Sequence, residues 1–173
     1  MADKAVEKTN AMRALDQRHV AYTPVVYGNA TDFHTATEVA DTVGEPYDIV
    51  YKTLVVLREK GKPLLVMIAA DREVDLRLLA KSVGEKRLRM ATLKEAEKLT
   101  GLQVGGISAL ALLGKGFDAL IDAPALAHPE VYVSAGRRGT QIRLSVADLM
   151  RVTQARAVAA TSNENPEPPM LDK

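Results

Sequence analysis

Ile49-Val50-Tyr51-Lys52-Thr53-Leu54-Val55-Val56-Leu57 decides how the chain is built. Its residues are mostly β-branched, aromatic or aliphatic, and both alternating faces are apolar apart from Lys52 and Thr53. That composition predicts a strand covered on both sides. The polar turn Arg58-Glu59-Lys60-Gly61-Lys62 follows, and Pro63 to Ala70 repeats the same character, so the pair reads as a hairpin in a sheet that is covered or closed on itself.

Short helices are interleaved with the strands. Residues 1–18 read as a helix with Val6, Met12 and Leu15 on one face. Val20 to Tyr27 is β-rich, and Pro24 in it points to an edge strand or a bulge. Thr35 with Glu38, and Thr92 with Glu95, have capping-box spacing, opening helices that Gly44 and Gly101 stop. Asp75 caps Leu76 to Val83, ended by Gly84, and Lys86 to Met90 reads as a basic edge strand. Phe117–Asp122 and Glu130–Ser134 are short strands joined by Ala123-Pro124 and a small apolar turn. Thr140 to Leu144 pairs back across the basic turn Ala135-Gly136-Arg137-Arg138-Gly139, and Ser145 caps a last helix expected to reach about Ala160. The expectation is a single α/β (α+β) domain with a mixed sheet over residues 1–160, followed by a disordered, proline-rich tail over 161–173.

Composition removes several classes of chemistry. The 173 residues include no cysteine, so no disulfide, thiolate metal site or cysteine nucleophile belongs to the chain. Three histidines, His19, His34 and His128, lack metal-ligand spacing, and neither metal nor cofactor is expected. No apolar run approaches a membrane span. The opening Met1–Glu7 carries both charge signs without an apolar stretch, so no secretory signal and a cytoplasmic protein are expected. A net charge of +1 argues that any nucleic-acid contact is local rather than a broad phosphate-neutralising face.

Three positions carry candidate chemistry. Lys52 interrupts an apolar strand; it either snorkels to water or points into a pocket to hold an anionic or carbonyl oxygen. Val104-Gly105-Gly106-Ile107-Ser108 lies in a stretch, 101–116, holding five of the eleven glycines. It is either a tight turn or a loop whose amides cradle an oxygen, and it fits neither the Walker nor the dinucleotide pattern. Tyr132-Val133-Ser134-Ala135-Gly136-Arg137-Arg138-Gly139 is either a solvated turn or a guanidinium pair suited to phosphate. No Ser-His-Asp arrangement or G-x-S-x-G is present.

In this order and spacing, Tyr51–Val56, Thr100–Ser108 and Tyr132–Gly139 resemble the YbaK family, freestanding relatives of the editing domain of prolyl-tRNA synthetases, over roughly residues 8–155. The resemblance implies a barrel-like mixed sheet surrounded by helices and deacylation of mischarged tRNA, in the branch most alike cysteine on proline tRNA. It implies that Lys52 and the Gly105-Gly106 amides act on the ester. Tyr27, Ser108, Ser134, Gly136 and Arg137 are implied as substrate-binding, with the 3′ acceptor end of aminoacyl-tRNA as ligand and prolyl-tRNA synthetase as a partner. It also implies that the substrate's own thiol attacks its carbonyl. Alanine editing and a non-catalytic tRNA-end binding module are the alternatives. Ala109 replaces the family's usual proline, and Ala135 its usual glycine, which requires a negative φ at 135.

Overall fold

The hairpin around Lys52 is the centre of the larger of two sheets. The computed structural model describes residues 6–162. Helix α1 (Asn10–Gln17) starts at Thr9, whose hydroxyl accepts from the Met12 amide, so it is shorter than the predicted 1–18. Strand β1 is Thr23–Val26 and helix α2 is Ala36–Val43. The hairpin is β2 (Tyr51–Arg58) and β3 (Leu64–Ala69), antiparallel with Lys52 opposite Ile68. The predicted strand begins two residues late because Tyr47–Ile49 closes into a 3-10 turn.

Helix α3 (Leu76–Val83), strand β4 (Leu88–Met90) and helix α4 (Leu93–Thr100) follow. Strand β5 is Asp118–Asp122, β6 is Glu130–Ser134, β7 is Thr140–Ser145, helix α5 is Val146–Thr153 and β8 is Arg156–Val158. The capping boxes at Thr35/Glu38 and Thr92/Glu95 both form, and Asp75 and Ser145 each accept a helix amide at their N-caps. With Thr9 at α1, local side-chain hydrogen bonds thus place all five helices.

The strands order as β4-β2-β3-β5-β8 in a mixed sheet and β1-β7-β6 in an antiparallel one. β3, β5 and β8 run parallel. Pro24 stands on β1, an edge, as expected, and β4 is the edge of the larger sheet. The barrel-like expectation resolves into two sheets joined by one bridge, a parallel contact between Val50 and Tyr132, rather than a closed ring. The chain changes sheets between β5 and β6 through the 3-10 turn Ala123–Ala127. The main core lies between the sheets and α1, α4 and α5, built on Leu15, Tyr51, Met67, Leu110, Ile121, Ile142 and Leu149.

Two C-terminal expectations need correction. The last helix does not reach Ala160: Gln154 adopts φ 57, and the chain turns to lay Arg156–Val158 beside β5. The open edge of β5 gives these backbone groups a ladder, which outweighs local helix propensity. Thr161 is not the start of a loose tail. It is buried, and its hydroxyl donates to the Asp122 carboxylate, whose other oxygen accepts from the Ala160 amide at 3.0 Å. The predicted disorder of the remaining tail lies outside the described residues.

Candidate active site

The Val50–Tyr132 bridge pins β2 to β6, and beyond it the two sheets part. A cavity of about 320 Å³ lies there, within the range of small-ligand sites. Its walls come from the start of α2 (Phe33 to Ala36, Val39), β2 (Tyr51 to Val55), the run from β4 into α4 (Met90 to Leu93, Ala96) and the glycine loop (Val104, Gly105, Ile107). Ser134 at the end of β6 and Gln141 on β7 complete it.

Lys52 lines this cavity, half-buried, and its ammonium donates to the Ala70 carbonyl at 3.1 Å. Burial pushes its pKa below the usual lysine value, and the Glu73 and Asp71 carboxylates pull the other way. An ammonium has three donors, so one bond to Ala70 leaves capacity for a ligand oxygen. Of the two sequence readings, the pocket one fits this placement. Ser134 stands two residues past the bridge on β6, as Lys52 does on β2, and it too lines the cavity. Its buried Oγ accepts from the Gly136 amide at 3.3 Å, which leaves its hydroxyl proton to donate. Tyr51 is held neutral: burial first, then the Asp122 charge, pushes its pKa up to about 12.

Gly105 is the third expected residue on the wall. Its φ of 93 favours glycine, and a Cβ there would crowd the Phe33 ring at 3.2 Å. Gly106 lies behind the wall. Its N–H donates to the Gln103 carbonyl at 2.8 Å, closing the turn, so it is not free to meet a ligand oxygen.

The basic turn does structural work for that loop. Arg138 Nε donates to the Val104 carbonyl at 2.7 Å, and its guanidinium lies 5.2 Å from the centre of the Phe33 ring. Arg137 reaches Glu7 at 3.1 Å instead of the cavity. Gly136, with φ 94, is also off the wall, packed against Ala111. Ser108 is buried, and its Oγ accepts from the Ala111 amide at 3.2 Å, capping a turn. Tyr27 is off the wall, its ring edge-on to His34, which does line the cavity. Ala135 has no positive φ, as its replacement of glycine requires.

The structure therefore gathers Lys52, Gly105 and Ser134 around one space, with Tyr27 beside it. Sequence reasoning missed Phe33, His34, Thr53, Met90, Leu93 and Gln141. Phe33, exposed in a chain of only 4% aromatics, was the readable one. Among the described residues, no helix is long and apolar enough to cross a membrane.

An ammonium and a hydroxyl on the wall of a pocket with an apolar rim can hold oxygens of a small ligand. Residues 30–152 match the aminoacyl-tRNA editing domain. The chain is 34% identical over 161 residues to EbsC of Enterococcus faecalis, named for Cys-tRNA(Pro)/Cys-tRNA(Cys) deacylation, covering 93% of this chain and 98% of that one. It is 37% identical over 68 residues to the proline–tRNA ligase of Thermodesulfovibrio yellowstonii, 39% of this chain but only 12% of the ligase. A crystal structure described as a trans-editing enzyme for prolyl-tRNA synthetase superposes with a TM-score of 0.74 at 28% identity, covering 89% of this chain and 96% of the other. The chain belongs to the aminoacyl-tRNA editing domain family, whose substrate is aminoacyl-tRNA.

Proposed function

We propose that this protein is a freestanding, cytoplasmic deacylase that clears cysteine wrongly attached to proline tRNA. The observation that carries the reading is Lys52, a half-buried ammonium with one protein acceptor, level with Ser134 on the cavity wall. Likeness to EbsC over nearly its whole length supports the choice of amino acid.

The aminoacyl ester at the tRNA 3′ end enters from the rim, with the adenosine against Phe33, Met90 and Leu93. Lys52 anchors oxygens of the terminal nucleotide, and the Gly105 N–H polarises the ester carbonyl. One such donor is worth ~3–4 kcal/mol, or about 10²–10³ in rate. The substrate thiol attacks its own carbonyl carbon, forming a C–S bond. The ester C–O bond breaks, the thiol proton passes to the departing ribose oxygen, and a thiolactone leaves for hydrolysis in water. No protein nucleophile is required, which suits a chain without cysteine. The same chemistry gives selectivity that pocket size alone does not, since one methylene is worth only ~1–3 kcal/mol. The near-neutral chain makes prolyl-tRNA synthetase a useful partner for tRNA selection.

Purified protein is assayed on Cys-tRNA(Pro) and Ala-tRNA(Pro), beside Lys52→Ala. Cysteine is released preferentially, and the variant with retained fold is inactive. Preferred release of alanine moves the protein to alanine editing, and wild-type rates in the variant overturn the role of Lys52.

A further inference from the structure

Five consecutive residues, Tyr51 to Val55, line the cavity. Alternate side chains of a strand point to opposite faces, so a space touching all five lies along the edge of β2 rather than over one face. Hydrogen-bond parity tells which main-chain groups stand on that edge. Ala70 donates its N–H to the Val50 carbonyl at 2.8 Å, and with Lys52 opposite Ile68 this directs the main-chain groups of residues 50, 52 and 54 toward β3. Those of 51, 53 and 55 point the other way. The Val55 carbonyl accordingly accepts from the Ala91 amide at 3.0 Å, at the end of the β4 ladder. The next place in that ladder, opposite Thr53, falls to Leu93, where the chain has already turned into α4. From the other side, the contact with β6 stops at the Val50–Tyr132 bridge. Thr53 thus sits in the gap between the two, and among the described residues its N–H and C=O have no hydrogen-bond partner.

An unpaired N–H and C=O on one strand residue are matched by the nitrogen and carbonyl oxygen of a single opposing residue, as in a hydrogen-bonded antiparallel pair. In an aminoacyl ester those two atoms belong to the α-amino group and the ester carbonyl. We infer that the main chain of Thr53 pairs with the aminoacyl group as the missing strand residue would: its C=O accepts from the α-ammonium and its N–H donates to the ester carbonyl. The inference rests on the cavity being the aminoacyl-ester site proposed above. The edge of adenine also carries a donor beside an acceptor, and depth decides between the two. Thr53 is 9% exposed, whereas Phe33 and Leu93 at the rim are 52% and 66% exposed and offer apolar surface to the nucleoside. A carbonyl oxygen has two lone pairs, so the ester carbonyl takes the Thr53 and Gly105 donors together. This pairing reads atoms common to every amino acid and leaves the choice of side chain to the rest of the wall.

Two stable compounds test this by titration calorimetry. One is 3′-(cysteinylamino)-3′-deoxyadenosine, an amide in place of the ester. The other is its 3-mercaptopropionyl counterpart, which lacks only the amino group. The wild type binds the amine form tighter by about tenfold, as expected for a charged hydrogen bond. Thr53→Pro removes the N–H on the open edge and no bond to β3. It weakens both compounds alike, by about tenfold, because both keep the carbonyl, and it retains the preference for the amine. Amide NMR of the wild type reads the same contact without a substitution, which covers the case of a poorly folded proline variant. In the free protein the Thr53 amide proton exchanges faster than that of Leu54, and either compound shifts it and slows its exchange. Equal wild-type binding of the two compounds gives the gap to adenine and overturns the inference. So does a Thr53 amide that neither compound moves, unchanged affinity in folded Thr53→Pro, or failure of the wild type to bind either compound. If the amine is preferred and the Thr53 amide responds but Cys-tRNA(Pro) is not deacylated, the proposed activity fails and the role of Thr53 stands. Deacylation with an unmoved Thr53 amide is the converse.

Discussion

Gly106 is pressed against the backbone of Arg137: a Cβ at Gly106 would lie 2.9 Å from both the Arg137 Cα and its carbonyl carbon. Two loops far apart in sequence therefore meet main chain to main chain, and that contact fixes the backbone next to Gly105, which lines the cavity. Gly106→Ala forces the backbones apart. Overpacking of this kind destabilises by ~1–3 kcal/mol. With roughly 2–4 °C of Tm per kcal/mol for a chain of this size, calorimetry should show a Tm several degrees lower. Deacylation should fall further than the stability loss explains, because the Gly105 donor is displaced.

Arg138 ties the same loop from the other side, through its bond to the Val104 carbonyl and its position over Phe33. Lysine keeps the charge but loses the planar guanidinium that makes both contacts. Arg138→Lys should lower kcat on aminoacyl-tRNA more than it raises KM. If KM alone rises, the residue is a phosphate contact after all, as the sequence reading of the basic turn allowed.

What was legible in the sequence was local. Thr35 with Glu38, Thr92 with Glu95, and the stops at Gly44, Gly84 and Gly101 act within one or two turns of chain, and the helices start and end where those signals stand. β8 was unreadable because Arg156–Val158 is a strand only by virtue of β5, more than thirty residues upstream. The site divides in the same way. Lys52 showed itself as a charge in an apolar strand. Gln141 did not, because strand alternation puts it on the side of exposed Arg143, and its burial comes from the meeting of two sheets. The basic turn was left open between a solvated turn and a phosphate contact, and neither reading foresaw that its Arg138 braces the glycine loop.

The Asp122 carboxylate, buried at the end of β5, takes its hydrogen bonds from Ala160 and Thr161. Thr161→Val keeps the shape and removes one donor from a buried charge. Such bonds contribute ~1.5–3 kcal/mol. The expected result is a fall in Tm of several degrees with kcat/KM unchanged at a temperature where the variant is folded. An unchanged Tm would show that the C-terminal clamp contributes nothing to the fold.

Lys52 links stability to function in opposite directions. Burial holds its folded pKa below the ordinary 10.5 of the unfolded chain. Between those two values the unfolded state binds more protons than the folded state, so stability from this group rises with pH across that window. Below that window the lysine is charged in both states, and the folded protein carries the desolvation penalty. Lys52→Met removes the penalty while filling the same volume. The variant should therefore match or exceed the wild type in Tm at pH 7, and that advantage should shrink as pH rises toward 10.5. Deacylation should be lost at every pH. In the wild type, activity that depends on the charged ammonium should decline with an apparent pKa below 10.5. Thermal melts of both proteins across pH 7–10.5, set beside initial rates, check each part. A methionine variant less stable than the wild type at pH 7 would show that the Ala70 hydrogen bond outweighs the burial of the charge.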